Sequence, residues 1–168
     1  GDSQPGAPAI SSMYTQGLSV INNEITDVPY SAIAVGWGWT AEPEGSGNNL
    51  IAGNYVHNIT RVLNDGGGIY TLGAQPGTRV ERNYFQGMVL ANGALYPDAG
   101  SAYMLWTDNV VEDVQAVCLA FSDAIHHMTI QNTYSDQSFY IDNTSQNHIQ
   151  PPITYLPGMP CEKAQDII

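Results

Sequence analysis

The sequence predicts an all-β fold, a parallel β-helix of about five to six coils, from three observations. An asparagine-anchored motif recurs at a long, slightly shrinking period. A second short apolar strand follows most of the anchors. No stretch with the 3.6-residue periodicity of an amphipathic helix lies between them.

The motif reads apolar-x-x-Asn-x-apolar. Its copies run from Val20 to Ile25 around Asn23, Ile51 to Val56 around Asn54, Val80 to Phe85 around Asn83, and Trp106 to Val111 around Asn109. Ile130 to Tyr134 is a degraded fifth copy with Thr133 at the anchor. Successive anchors are 31, 29, 26 and 24 residues apart. The second strands are Ser31 to Gly36, Gly68 to Gly73, Ala94 to Asp98 and Ala116 to Phe121. Parallel pairing needs a crossover of about a dozen residues or more, and a coil of strands and turns supplies one without a helix. Asparagine suits a turn because it tolerates left-handed backbone geometry. Stacked in register, its amides can bond up the coil as a ladder. The anchors are therefore read as scaffold, not as ligands. An antiparallel sandwich would instead show strands about every 8–12 residues.

Residues 1–17 are expected to be a leading loop or linker, 18–145 the coils, and 146–168 an exit loop with the start of a C-terminal helix after Pro160. A solenoid needs caps, and neither end offers an obvious one. The expectation is a piece of a longer polypeptide whose remainder covers the open ends.

The chain has 168 residues, 43% of them hydrophobic, enough for one domain with a core. Four basic against 16 acidic residues give a net charge of −12. That balance argues against nucleic acid, whose phosphates need Lys and Arg, and against an anionic membrane surface. No apolar run approaches the ~18 residues of a spanning helix. Cys118 and Cys161 read either as two buried thiols or as one disulfide formed in an oxidising compartment. Sequons occur at Asn58 (Asn-Ile-Thr60) and Asn143 (Asn-Thr-Ser145). The low lysine content and the many Asn, Gly and Tyr residues lean towards a secreted, extracellular protein, which use of the sequons would make a glycoprotein.

Three segments exceed what a bare coil needs. Trp37 and Trp39, spaced by glycine and followed by a polar loop with Glu42, can offer flat faces to a sugar ring. Asp65 precedes a glycine triplet and Tyr70; no Gly-Lys-Ser/Thr or helix follows, so this is no phosphate loop. Tyr96 and Asp98 are two apart on one strand and share a face. Because Tyr70 and Tyr96 occupy the same place in successive coils, a Tyr, Tyr, Asp patch is expected beside the tryptophan loop.

The runs Asp65-Gly-Gly-Gly-Ile-Tyr-Thr-Leu-Gly73 and Tyr96-Pro-Asp98-Ala-Gly-Ser101, on Asn-anchored coils, resemble right-handed parallel β-helix carbohydrate-active enzymes, in the glycoside-hydrolase branch of the pectate-lyase-like superfamily. The resemblance spans about residues 18–140. It implies hydrolysis of a polysaccharide by acids on the outer face, with Asp65 and Asp98 as those acids. The family's second motif carries Glu where this chain has Ala99.

A hydrolase carboxylate pair sits about 5–5.5 Å apart for retention or 6.5–9.5 Å for inversion. Asp65 and Asp98 are seven positions apart once Tyr70 and Tyr96 are aligned, ~23 Å on straight strands, so they pair only if the glycine triplet folds back. Asp123, one coil on, and Glu42 are the alternative partners, and the expected order is Asp98, Asp65, Asp123. A lyase or epimerase would rely on Arg61 beside Asp65; a non-catalytic carbohydrate-binding module is the other alternative. Ser101 lacks a nucleophile elbow. His126 and His127 would point to opposite faces of a strand and form no zinc set with His57 or His148. No metal or cofactor is expected, and the expected partner is a neutral carbohydrate.

Overall fold

The computed structural model describes residues 6–89, 91–115, 117–120, 124–136, 148–149, 154–155 and 164–166. It is a parallel β-helix with three sheets. The first contains β1 (Ile10–Ser12), β4 (Ile33–Val35), β7 (Gly67–Thr71), β10 (Gly93–Pro97) and β13 (Val117–Leu119). The second contains β2 (Ser19–Ile21), β5 (Leu50–Ala52), β8 (Arg79–Glu81), β11 (Leu105–Thr107), β14 (Thr129–Gln131) and β16 (His148–Ile149). The third contains β3 (Glu24–Thr26), β6 (Tyr55–His57), β9 (Tyr84–Met88), β12 (Val110–Val114), β15 (Tyr134–Ser135) and β17 (Thr154–Tyr155).

The coils begin at Ile10, eight residues before the expected boundary, and the second and third sheets continue past residue 145. β1, β16 and β17 carry no asparagine anchor, which is why the motif does not reach them. Ala164 is helical, with Gln165 and Asp166 following in a turn.

The motif maps onto the coil residue by residue. Its first apolar position is the inward residue of the second sheet, where Val20, Ile51, Val80, Trp106 and Ile130 stack in register. Its last apolar position is the inward residue of the third sheet, where Ile25, Val56, Phe85 and Val111 stack. Ile33, Ile69, Leu95 and Leu119 do the same in the first sheet. These columns form one continuous core, with one inward residue per short strand flanked by outward ones, as β2 and β3 show.

The anchors form the expected ladder. Asn23, Asn54 and Asn83 each donate from Nδ2 to the Oδ1 of the next asparagine, at 2.9, 2.9 and 3.0 Å. The same Oδ1 atoms also accept the backbone N–H of the asparagine one coil earlier, at 3.0–3.1 Å. The left-handed residue of this corner is the one before each anchor: Asn22, Gly53, Arg82, Asp108 and Asn132 all have positive φ. The other two corners have columns of their own. Gly17, Asn48, Gly77, Tyr103 and His127 turn the chain from the first sheet to the second, and Asp27, Asn58, Gly87 and Asp113 turn it out of the third.

Asn54 and Asn83 each satisfy donors and acceptors on two coils. Asn83→Ala should therefore destabilise the protein by about 2–4 kcal/mol, because Asn54 and the Ile51 carbonyl lose partners in a dry corner. Asn23→Ala, on the exposed first coil, should cost under about 1 kcal/mol. Urea unfolding of the two variants measures the difference, and equal losses would contradict a cooperative buried ladder.

Candidate functional site

The outer face of the first sheet carries the row Ser11, Ala34, Tyr70 and Tyr96, aligned across four strands. Side-chain size drops sharply between Tyr70 and Ala34, and the step leaves a hollow. Loops that leave the corners wall it in. Residues 36–49 bring Trp37 and Trp39 to one side, and Tyr30 comes from the connection between β3 and β4. The result is a cavity of about 250 Å³, floored by Ser11 and Ala34 and walled by Tyr30, Trp37, Trp39 and Tyr70. Among the described residues no charged side chain lines it.

The tryptophan loop is built for close approach. Trp37 and Trp39 meet edge to face, with ring centroids 4.8 Å apart, and Trp39 is 58% exposed. Gly38 between them has φ +95°, and a Cβ there would lie 2.3 Å from the Glu44 carboxylate. Further along, the Thr40 carbonyl lies where a Cβ on Gly100 would sit, 2.4 Å away. The loop thus lies over the turn that follows Asp98. Pro43, between Glu42 and Glu44, bridges to Ala74, which bridges in turn to Ala102. Glu42 itself is exposed.

Asp98 accepts a hydrogen bond from the Tyr70 hydroxyl at Oδ2, 2.7 Å. Asp65 accepts one from Asn92 Nδ2 at Oδ1, 3.1 Å, and the Tyr30 hydroxyl donates to its backbone carbonyl. The glycine triplet does not fold back: Gly67 and Gly68 are extended residues of β7. These glycines make room instead. A Cβ on Gly66 would strike Ser31 and Tyr30, one on Gly67 the Gly93 carbonyl, and one on Gly68 the Phe85 ring. Asp65 and Asp98 therefore stand at opposite ends of their strands, on the order of 20 Å apart at Cα.

Three phenols occupy the space between the two acids. Burial, then the hydrogen bond to Asp98, pushes the Tyr70 phenol well above its ordinary value. Burial pushes Tyr96 up to about 12, with the charges of Asp98 and Asp65 adding to the effect and Asn92 opposing it. Burial and the charge of Asp65 raise Tyr30 as well.

The structure places the other expected residues as follows, and corrects two of them, Tyr96 and Arg61. Tyr96 does not line the cavity; it is buried behind Tyr70, their ring centroids 5.4 Å apart, because the Tyr70 row position covers it. Arg61 does not stand on Asp65: its Nη1 donates to Asp27 across the exposed corner, at 3.3 Å. Asp123, Asn143 and Cys161 lie outside the described residues. Cys118 is a free thiol, fully buried, with its pKa raised to about 12 by burial. Asn58 is exposed at a left-handed corner. Tyr30 is the one aromatic ring of the cavity wall that the sequence did not point to. It sits in an irregular connection without a repeat signal, and only the Pro29-Tyr30 pair before the second strand marked it.

No protein-family model matches this chain, and no curated protein matches it. A solved structure described as "Glycoside hydrolase" is similar, with a TM-score of 0.59 and 22% sequence identity. The match covers 97% of this chain and 24% of that one, so this chain spans about a quarter of that protein's length. At this identity the likeness is one of fold.

The phenols set an alkaline limit. Their folded pKa values lie above the unfolded value of 10.0, so the stability they contribute is complete below pH 10 and is lost as the pH rises through about 12 and beyond. The melting temperature should fall over that window, and part of the tyrosinate absorbance should emerge late. In Tyr70→Phe/Tyr96→Phe the alkaline fall should shrink. Ionisation of every phenol near the ordinary value in the folded protein would contradict this.

Proposed function

We propose that this chain is the glycan-binding part of a secreted parallel β-helix glycoside hydrolase that cleaves a neutral polysaccharide or oligosaccharide. The observation that carries the reading is the cavity itself. It is the size of a small ligand, walled by four aromatic rings and, among the described residues, free of charged side chains. Aromatic faces bind the C–H side of a sugar ring without needing charge, and a uronate-rich chain would meet a net charge of −12.

In this reading Asp98 is the catalytic carboxylate, reached from the cavity across the Tyr70 hydroxyl. It works as general acid or base on the glycosidic oxygen or on the attacking water. The second carboxylate comes from the tryptophan loop, with Glu42 as the candidate, since that loop lies over the Asp98 turn. Asp65, at the far end of the strands, holds Asn92 and Tyr30 and acts at the edge of the site. An N-glycan on Asn58, away from the cavity lining, is compatible with secretion, and further polypeptide covering the open ends of the solenoid belongs to the same proposal.

Two observations favour a second reading, a non-catalytic carbohydrate-binding module. Neither Asp65 nor Asp98 lines the cavity, and Ala99 stands where the resembled motif has an acid.

Calorimetry with a panel of neutral oligosaccharides, alongside release of reducing ends, separates the two. Trp39→Ala should weaken binding at least about tenfold, ~1.4 kcal/mol, in either reading. Asp98→Asn should keep the affinity and lower turnover about 10²–10⁴-fold in the hydrolase. In the binding module the parent has no turnover to lose. Undiminished binding by Trp37→Ala and Trp39→Ala variants would remove the cavity from both readings.

A further inference from the structure

The corner between the first and second sheets holds a second cluster, which the glycan-binding reading does not use. His126 bridges to Ala102, placing it one coil above the segment that carries Tyr103. Tyr103 and His127 both occupy the left-handed column of this corner, with φ of 61° and 53°. A left-handed residue breaks the alternation of a strand. His126 and His127 therefore do not point to opposite faces as the sequence suggests; their Nδ1 atoms converge to 2.8 Å. The Tyr103 ring stacks on His127, centroids 5.2 Å apart at 29°, and meets His126 edge-on at 5.4 Å and 77°. His127 and Tyr103 are exposed, so the pair opens to solvent.

We propose that His126 and His127 chelate a divalent transition cation of the copper or nickel class through their two Nδ1 atoms. At the present separation one nitrogen must donate a proton to the other's lone pair. A cation takes the place of that proton, which moves through solvent to the donor ring's Nε2, so that both rings carry their single proton on Nε2 and present an Nδ1 lone pair. The geometry also selects among cations. Metal–nitrogen bonds of about 2.0–2.1 Å across the 2.8 Å gap subtend roughly 85° at the metal. That is close to the right angle between adjacent positions of a square-planar or octahedral ion, as Cu(II) and Ni(II) prefer. A tetrahedral Zn(II) site would need the nitrogens about 3.3 Å apart. Tyr103 is the positioning residue, because its ring fixes the planes of both imidazoles. Among the described residues no group of three or more His, Cys, Asp or Glu forms a metal site, so water completes the coordination. The net charge of −12 favours cation approach.

The test is titration of the full chain with CuCl₂, followed by electron paramagnetic resonance and calorimetry, then repeated with NiCl₂ and ZnCl₂. One equivalent should bind with nitrogen hyperfine splitting from two imidazoles, and Ni(II) should bind more tightly than Zn(II). His126→Gln and His127→Gln should each weaken copper binding at least about tenfold, and Tyr103→Leu by a smaller factor. His57→Gln should leave it unchanged. All four positions lie at the surface or near it, and a thermal melt of each variant confirms that it folds. A copper signal that persists unchanged in the His126→Gln/His127→Gln double variant would overturn the proposal, as would the absence of stoichiometric binding. Zinc binding tighter than nickel would overturn the adjacent-position geometry. None of these readouts depends on glycan binding.

Discussion

The structure depends on the asparagine ladder at the corner between the second and third sheets. A coil of three-residue strands makes few backbone hydrogen bonds per strand, so something else must hold successive coils in register. Asn54 and Asn83 do so by donating to one neighbouring coil's carbonyl and to the other's anchor, while each accepts two N–H groups on one oxygen. These corners are dry, and an amide there is worth keeping only when every donor and acceptor is met. The ladder and the columns of left-handed residues work together. The residue before each anchor turns the chain, and the anchor then locks the turn to the coils on either side.

With the register fixed, the outer faces become rows of side chains, and function arises where a row is uneven. On the first sheet the row Ser11, Ala34, Tyr70, Tyr96 rises abruptly in side-chain size between its second and third members. The longest corner connection, residues 36–49, lies over this step. The cavity is thus produced by a small-to-large sequence of residues lying tens of positions apart, together with a loop that glycines allow to sit flat on the next coils. The carboxylates are placed by the same register. Asp98 is joined to the cavity wall through a phenol, whereas Asp65 is carried to the other end of the strands.

The third sheet shows what the register does when another segment packs at the step in a row, here between Tyr84 and Val110. Tyr55 and Tyr84 stack nearly parallel, 5.1 Å apart, and Ala164 packs against the cluster with Val110. There the aromatic row is covered and forms a second apolar cluster. On the first sheet the neighbouring small residues leave the aromatics facing a hollow. Similar residue types therefore serve packing on one face and a candidate binding site on another, and the difference lies in the row partners.

The sequence by itself determined the class of fold, the inward columns and the ladder. All three follow from a local pattern repeated at a fixed place in each coil, Val20 and Ile25 around Asn23 being the first instance. It also determined that Tyr70 and Tyr96 would be row neighbours and that Trp37 and Trp39 would stand out from the scaffold. Only the tertiary structure decided which of these meet a ligand-sized space. Tyr96 is hidden because Tyr70 covers it, Tyr30 joins the wall from a connection without any repeat, Arg61 turns away to Asp27, and His126 converges on His127 because the corner is left-handed. The physical reason is that one coil reads its own residues along the chain, whereas exposure and pairing are decided across coils. The relevant neighbours there lie about 25–35 residues away, and loop lengths of a few residues decide what comes to rest against what.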